Sequence, residues 1–442
     1  MHTMQHNHCM NKKPALAWAF YDWANSAYTT AVMAGFFPIF FRDYWSEGRA
    51  SDAITLSLGL ANSLSSLAIM VMAPVLGAIA DRGGARKRFL MSFAFLGVVM
   101  TAGLFWVAEG RWGAAMLLYG LSVFGFSGGN IFYDSLLVTV AKEEKYDAVS
   151  ALGYALGYLG GGLLFAFCVL MTIKPALFGL ADASQAVRVS FLLTALWWAV
   201  FTIPLLLLVR EPPAPGRLSM LQMIGGGFQQ LIGTFRHIRR LKVVFLFLFA
   251  YWLYIDGVDT IIRMAVDYGR ALGFGRTELI TALLLTQFVG FPSALVFGWL
   301  GGKIGAKSGI YIAIAVYCLV TIWAYFMRDA REFYALAIII GLVQGGVQSL
   351  SRSLYARIIP VDKAAEFFGF YNMLGKFAAV IGPVMMGVAG VLFGSPRAAI
   401  LSLILLFIGG GTLLAFVDEK KGRLAAASLQ NGSARNPAGP AE

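Results

Sequence analysis

Charge is the first thing in short supply. Of 442 residues, only 13% are Asp, Glu, Lys or Arg, about half the share in a soluble domain. Histidine is scarcer still, at 4, and none lies inside an apolar run. Those runs therefore hold no metal-ligand spacing, and their serines have no base beside them. Intramembrane enzyme chemistry finds no footing, and we expect neither enzyme activity nor a cofactor or metal. Cysteine occurs three times, at Cys9, Cys168 and Cys318, the last two inside apolar runs. That excludes a disulfide framework. His2, His6, His8 and Cys9 could chelate a metal, but a mobile polar tail is the simpler reading.

What is abundant is carbon. The chain is 59% apolar and 14% aromatic, with a mean hydropathy of +0.72. This is the composition of a polytopic membrane protein. The net charge of +12 does not point to nucleic acid, because the basic residues sit in short loops between apolar runs, as topology signals do. The partners expected are the bilayer and a small-molecule substrate, with the chain acting as a monomer.

Twelve spans can be drawn, at about 15–41, 53–80, 89–108, 112–141, 147–171, 187–209, 242–266, 277–301, 308–327, 333–357, 365–393 and 396–417. Each is long enough for a helix to cross a bilayer, which takes about 20 residues. A β-barrel would instead show short alternating segments. With both termini inside, 22 Lys and Arg fall in inner segments and 10 in outer ones. This bias puts both termini in the cytoplasm of a cell whose inner membrane the chain crosses.

The expected fold class is an all-α membrane protein of two pseudo-symmetric six-helix halves, 15–209 and 242–418. A cytoplasmic linker at 210–241 separates them, and disordered tails flank them at 1–14 and 419–442. Pro212 to Pro215 stop the sixth helix. Gly225 to Phe235 reads equally as a short surface helix or as plain linker. The halves echo each other at a constant offset: Gly77 to Lys87 with Gly298 to Lys307, Gly128-Gly129 with Gly345-Gly346, and Gly153-Tyr154 with Gly369-Phe370-Tyr371.

Polar residues inside spans form stripes. In span one, Asp22, Asn25, Ser26, Thr29 and Met33 share one face at 100° per residue. An aspartate at membrane depth costs about 2.5–3.5 kcal/mol, so this face should look inward. Span four has Asn130 and Asp134. Span seven has Asp256, Asp259, Arg263 and Asp267. Span ten has Gln344, Gln348 and Arg352, and span eleven has Asn372 and Lys376. Asp259 and Arg263, four apart, read equally as a structural pair within one helix. The amides read equally as interhelical glue. Asp22 and Asp134 have no basic neighbour on their own helices and need a partner, a proton or a substrate. Asp22 lies about 10 Å inside the cytoplasmic end, a depth suited to a gate or proton site, with Asn25 and Thr29 deeper.

Gly153, Gly157 and Gly161 in span five make a small-residue seam, which fits either close packing or helix motion. Trp18, Trp23, Tyr44, Trp45, Trp106 and Trp112 near span ends read mostly as interfacial anchors.

The two halves with a basic middle loop resemble the major facilitator superfamily. Gly77 to Arg88 is similar to its signature after span two, with Ala85 as one extra residue; the second copy has Gly302 where the acid would stand. The resemblance implies that Asp81 and Arg82 latch the inward gate, with Asp81 at the N-terminus of span eleven. Tyr21-Asp22-Trp23-Ala24-Asn25-Ser26-Ala27-Tyr28, Asn130 to Asp134, Gly153-Tyr154, Gly345 to Ser353 and Phe367 to Tyr371 resemble the vacuolar-effluxer branch, whose fungal members are autophagy-related amino-acid effluxers. The short polar tails resemble its bacterial members.

The resemblance implies secondary active transport by alternating access, with efflux of amino acids or similar small metabolites. Asn25, Thr29, Asn130, Asp256, Asp259, Arg263, Gln344, Gln348, Asn372 and Lys376 are the candidate substrate contacts. Asp22, Asp134, Arg352, Asp81 and Arg82 are candidates for proton coupling or the gate, with protons as the coupling ion. Two rival functions stand beside this: a proton-coupled exporter of drugs or other organic solutes, and a non-transporting membrane sensor or scaffold.

Overall fold

The computed structural model describes residues 12–211, 220–236, 241–271 and 273–435. Among them every regular element is helical. Span one starts at Lys12–Ala27 and continues through Tyr28–Phe36, Phe37–Phe40 and Phe41–Trp45. Spans two to six are Ser51–Gly83, Arg86–Gly103, Trp112–Ser135, Tyr146–Ile173 and Ala183–Leu208. Spans seven to eleven are Lys242–Ala271, Arg276–Ile304, Ala306–Phe326, Ala330–Ile358 and Ala364–Phe393. Span twelve is Pro396–Leu401 and Ile404–Ala415. Among the described residues eleven helical stretches, spans two to twelve, are long and apolar enough to cross a membrane; span one is built of several shorter pieces.

Span one is broken for a local reason. Pro38 has no N–H and its ring crowds the carbonyl four residues back. The helix widens ahead of it, so that the Phe37 N–H donates to the Val32 carbonyl, five residues back. The wide turns begin as far back as Tyr28, and the 100° spacing stops applying there. The Thr29 hydroxyl donates to the Ser26 carbonyl at 2.8 Å. Thr30, which the regular wheel turns away from the polar face, accepts from Gln287 of span eight at 3.1 Å.

The two halves meet along span two against span eleven and span five against span eight. Glycine sets the closeness. A Cβ on Gly77 would overlap the Ala365 carbonyl, and one on Gly369 would sit 2.6 Å from the Ala73 carbonyl. The seam in span five faces span one: Gly157 would place a Cβ 2.6 Å from the Ser26 hydroxyl and Gly161 one 2.7 Å from that of Thr30. It is a tight contact within one half.

The extra residue Ala85 has a structural account. Gly84 takes the left-handed conformation (φ 54°) at the end of span two. The Ala85 N–H then closes onto the Ala80 carbonyl at 2.9 Å, a left-handed helix stop that leaves Arg86 beside Asp81.

The structure decides between the two readings of the linker and corrects the expected bounds of both tails. The linker carries a helix, Met220–Arg236, that lies on span two because Gly226 and Gly227 let it approach Arg82 and Ile79. The tail from 419 is helical through Arg435. Asp418 accepts the Lys421 N–H at its start, Arg423 pairs with Glu419, and Gly422 rests on Ile358. Its alanines favour helix as much as its Ser, Asn and Gly favour coil. At the other end, Lys12 and Pro14 already belong to span one, with Pro14 in the first turn, where a missing N–H costs nothing. The residues His2, His6, His8 and Cys9, and Pro212 to Pro215, lie outside the described residues.

The start of span one and the helix Glu419–Arg435 lie on one face of the bundle, called here the terminal face. Gly369→Leu should force spans two and eleven apart there. Spin labels on the exposed Arg88 and Asp362 positions should report a longer distance than in the unsubstituted protein. An unchanged distance would mean that the glycine contact does not hold the halves together.

Candidate functional site

The site is a ladder of polar contacts between the two halves on the terminal side, and it builds from short sequence patterns. Span one supplies Trp18 and Asp22, one turn apart. Span four supplies Tyr133 and Asp134, and span five Ser150 and Tyr154. Span ten sends Arg352 across from the other half. The Arg352 Nη1 donates to Asp134 Oδ1 at 3.0 Å, and Nη2 reaches Asp22 Oδ2 at 3.4 Å. Nε donates to the Ser150 hydroxyl and Nη2 to the Ser150 carbonyl, both at 2.9 Å. The Tyr133 hydroxyl donates to Asp22 Oδ2 at 2.7 Å, and Asn372 Nδ2 to Asp134 Oδ2 at 3.1 Å.

Burial makes this cluster consequential. Arg352 is 1% exposed, Asp134 7% and Asp22 8%. Asp22 and Asp134 lack a basic neighbour on their own helices because their partner comes from the opposite half. Gly153 makes the approach feasible: a Cβ there would sit 2.6 Å from Asp22 Oδ2 and 3.1 Å from Arg352 Nη2. Trp18 is no interfacial anchor. It is fully buried, stacks on Tyr133 at 4.4 Å and donates to the Tyr133 carbonyl at 2.8 Å. Trp45 is buried too, whereas Trp106 is exposed.

Two further rungs lie nearer the surface. Asp81 accepts the N–H groups of Ala365 and Glu366, at 3.1 and 2.8 Å. These are free donors of the first turn of span eleven, where the helix dipole favours an anion. The cation beside Asp81 is Arg86, at 2.7 Å. Arg82, expected in the latch, is exposed and packs along Gly226 of the linker helix. It follows Asp81 by one residue, a step of about 100° around the helix, which turns it away.

The other rung joins Asp147 of span five to Arg357 of span ten at 2.6 Å, and to the Ser353 hydroxyl. Sequence reading missed this pair because both residues fall near span ends, where a charge needs no explanation. A signal was present: Ser349, Ser353 and Arg357 recur at i, i+4, i+8. All three meet span five, Ser349 through its carbonyl to Ser150.

Deeper in the bundle the expected contacts separate. Asn25 donates to Asn130 at 2.7 Å within the first half. Gln348 accepts from Tyr158 at 3.2 Å across the halves, and Gln344 Oε1 is buried without a hydrogen-bond partner. Asp256 is fully buried. Its Oδ1 accepts from the Gly382 N–H at 3.0 Å and from Thr260 at 3.2 Å, while Oδ2 has no partner. Gly382 precedes Pro383, which interrupts the bonding of span eleven. Asp259 and Lys376 are half-buried. The side chains of Arg263 and Asp267 lie outside the described residues. Asn372, a candidate substrate contact, donates to Asp134 and so belongs to the cluster around Arg352.

Comparison with known proteins places this architecture. Residues 48–427 match the family described as vacuole effluxer Atg22-like. The chain belongs to this family. It is 39% identical over 410 residues to the uncharacterized MFS-type transporter YxiO of Bacillus subtilis (strain 168), covering 91% of this chain and 94% of that one. It is 27% identical over 323 residues to autophagy-related protein 22-1 of Neosartorya fischeri, covering 66% of this chain. The chain spans about half the length of the fungal relatives it matches, 51% in that case. In fold it is similar to the proton:xylose symporter XylE, with TM-score 0.71 and 13% identity over 95% of this chain and 98% of that one. It is similar also to the major facilitator transporter FucP in its outward conformation, with TM-score 0.68 and 13% identity over 92% and 99%. The Atg22-like chain therefore has the twelve-helix major facilitator fold.

Breaking the buried cluster should be expensive. Arg352→Gln leaves two facing carboxylates without their cation, a loss of about 3–5 kcal/mol. Arg352→Lys should recover little, because one ammonium cannot reproduce the guanidinium fork. Both should lower the melting temperature in detergent by more than Asp147→Asn does, since that change keeps an acceptor for Ser353. Equal melting of all three variants would show that the cluster carries no special weight.

Proposed function

We propose that this transporter exports amino acids or similar small metabolites across the cell membrane by alternating access, with its terminal face in the cytoplasm. One observation carries the reading. Each rung of the terminal-face ladder joins a group on one half to a group on the other: Arg352 to Asp22 and Asp134, Arg357 to Asp147, and the start of span eleven to Asp81. A rigid-body rotation of the halves would break all of them together and leave each half intact. That is the contact pattern of a gate rather than of a scaffold.

The basic residues crowding the terminal face support its cytoplasmic placement. The solute site would lie deeper, between the halves. A zwitterion needs an anionic and a cationic contact there. Asp22 and Asp134 are taken up by Arg352 while the gate is shut. Asp256, Asp259 and Lys376 are the candidate charges deeper in the bundle, with Asn25, Asn130, Gln344 and Gln348 as amide contacts. The cluster has two carboxylates to one guanidinium. The surplus negative charge supports a proton as the coupling ion, carried at Asp22 or Asp134.

The test is purified protein in liposomes, offered labelled amino acids and a panel of organic cations and drugs under an imposed pH gradient. Gradient-driven movement of an amino acid, lost in Asp256→Asn, is the expected result. Movement of drugs alone would favour the organic-solute exporter. Movement of nothing under any gradient would overturn the transport reading.

A further inference from the structure

Around Arg352, the host groups all belong to the first half and the guest belongs to the second. The guanidinium carbon lies 4.3 Å from the ring of Tyr154, 4.8 Å from Trp18 and 5.4 Å from Tyr133. Asp22, Asp134 and Ser150 take its N–H groups. Three aromatic faces and two carboxylates around one cation make the constellation that recognises cationic ligands. A lock between halves needs only opposite charges, which Asp147 and Arg357 already supply. The acceptors also fit a planar fork. Nε and Nη2 share Ser150, while Nη1 and Nη2 point at separate aspartates. An ammonium, with three donors and no plane, cannot reproduce that set.

We infer that the first half carries a cation site for a small guanidinium-bearing solute, and that Arg352 occupies this site as a built-in competitor while the terminal face is closed. This rests on the alternating-access reading and deepens it. When the halves part at the terminal face, Arg352 leaves with span ten. Two carboxylates then face each other without their cation, which is costly in a low-dielectric interior. A guanidinium solute arriving from the terminal side takes Arg352's place and offsets that cost. Solute and Arg352 exclude each other, so binding favours the state open at the terminal face, and the gate closes once the solute has passed from the cage to the deeper site between the halves.

The test uses the full chain in detergent and in liposomes, with methylguanidine and agmatine as probes and methylammonium and leucine as controls. In Arg352→Ala the cage is vacant. Methylguanidine should raise the melting temperature of that variant and bind about tenfold more tightly than to the unsubstituted protein, which must first expel its own arginine. Adding Trp18→Ala to Arg352→Ala should weaken binding about tenfold, and adding Asp134→Asn should abolish it. Methylammonium should bind more weakly than methylguanidine throughout. The proposal is overturned if methylguanidine leaves Arg352→Ala unshifted, or binds equally well without Trp18. Should Arg352→Ala fail to fold, the unsubstituted protein decides: saturable counterflow of labelled agmatine, competed by methylguanidine, is expected. Leucine counterflow that guanidinium compounds do not touch overturns the cation site and leaves the transport reading standing. Movement of no solute at all overturns the transport reading, and methylguanidine binding then decides the cation site on its own: a melting shift of the unsubstituted protein, weakened by Trp18→Ala, supports it, and no shift overturns it.

Discussion

The molecule depends on one buried guanidinium. Arg352 sits at 1% exposure between two aspartates that belong to the other half. None of the three charges is tolerable alone at that depth. Their mutual need fixes the closed arrangement of the halves more specifically than apolar contact could, because lipid chains are as apolar as the helices and offer no driving force to bury one against the other. Ser150, Tyr133 and Asn372 take the remaining donors and acceptors. A buried ion cluster stabilises only when its hydrogen bonds are completed in this way.

Glycine and proline set where that cluster can form. Gly153 leaves room for Asp22 and Arg352 together, and Gly77 and Gly369 let spans two and eleven touch backbone to backbone. The wide turns of span one from Tyr28 to Phe36, ahead of Pro38, bring Thr30, instead of Thr29, to Gln287. Gly84 ends span two in the left-handed conformation, so Arg86 returns to Asp81. The gate is held by charge, but the positions of the charges are held by the residues with the least side chain.

Much of the site was legible as chemistry before it was legible as geometry. Asp22 and Asp134 stood out because each was an acid at membrane depth with no base on its own helix. Arg352 stood out because it ended an i, i+4, i+8 polar stripe. Asp147 and Arg357 were missed because a charge at a span end is ordinary. Trp18 was misread for the same reason: an aromatic near a span end resembles an anchor until the stack on Tyr133 is seen. Arg82 was expected in the latch from its neighbour in the chain, yet the helix turns it outward.

The sequence by itself determined the class of molecule, the division into two halves and the inward faces of most spans. These follow from hydropathy, span length and helical period, which are local properties. It also determined that the buried aspartates needed a partner, a proton or a substrate. Only the tertiary structure decided that Arg352 answers them, since it lies 218 residues from Asp134 and 330 from Asp22. Pairing across that distance depends on how two six-helix bodies dock. Only the docking, likewise, put three aromatic rings around the guanidinium and made a gate contact into the outline of a ligand site.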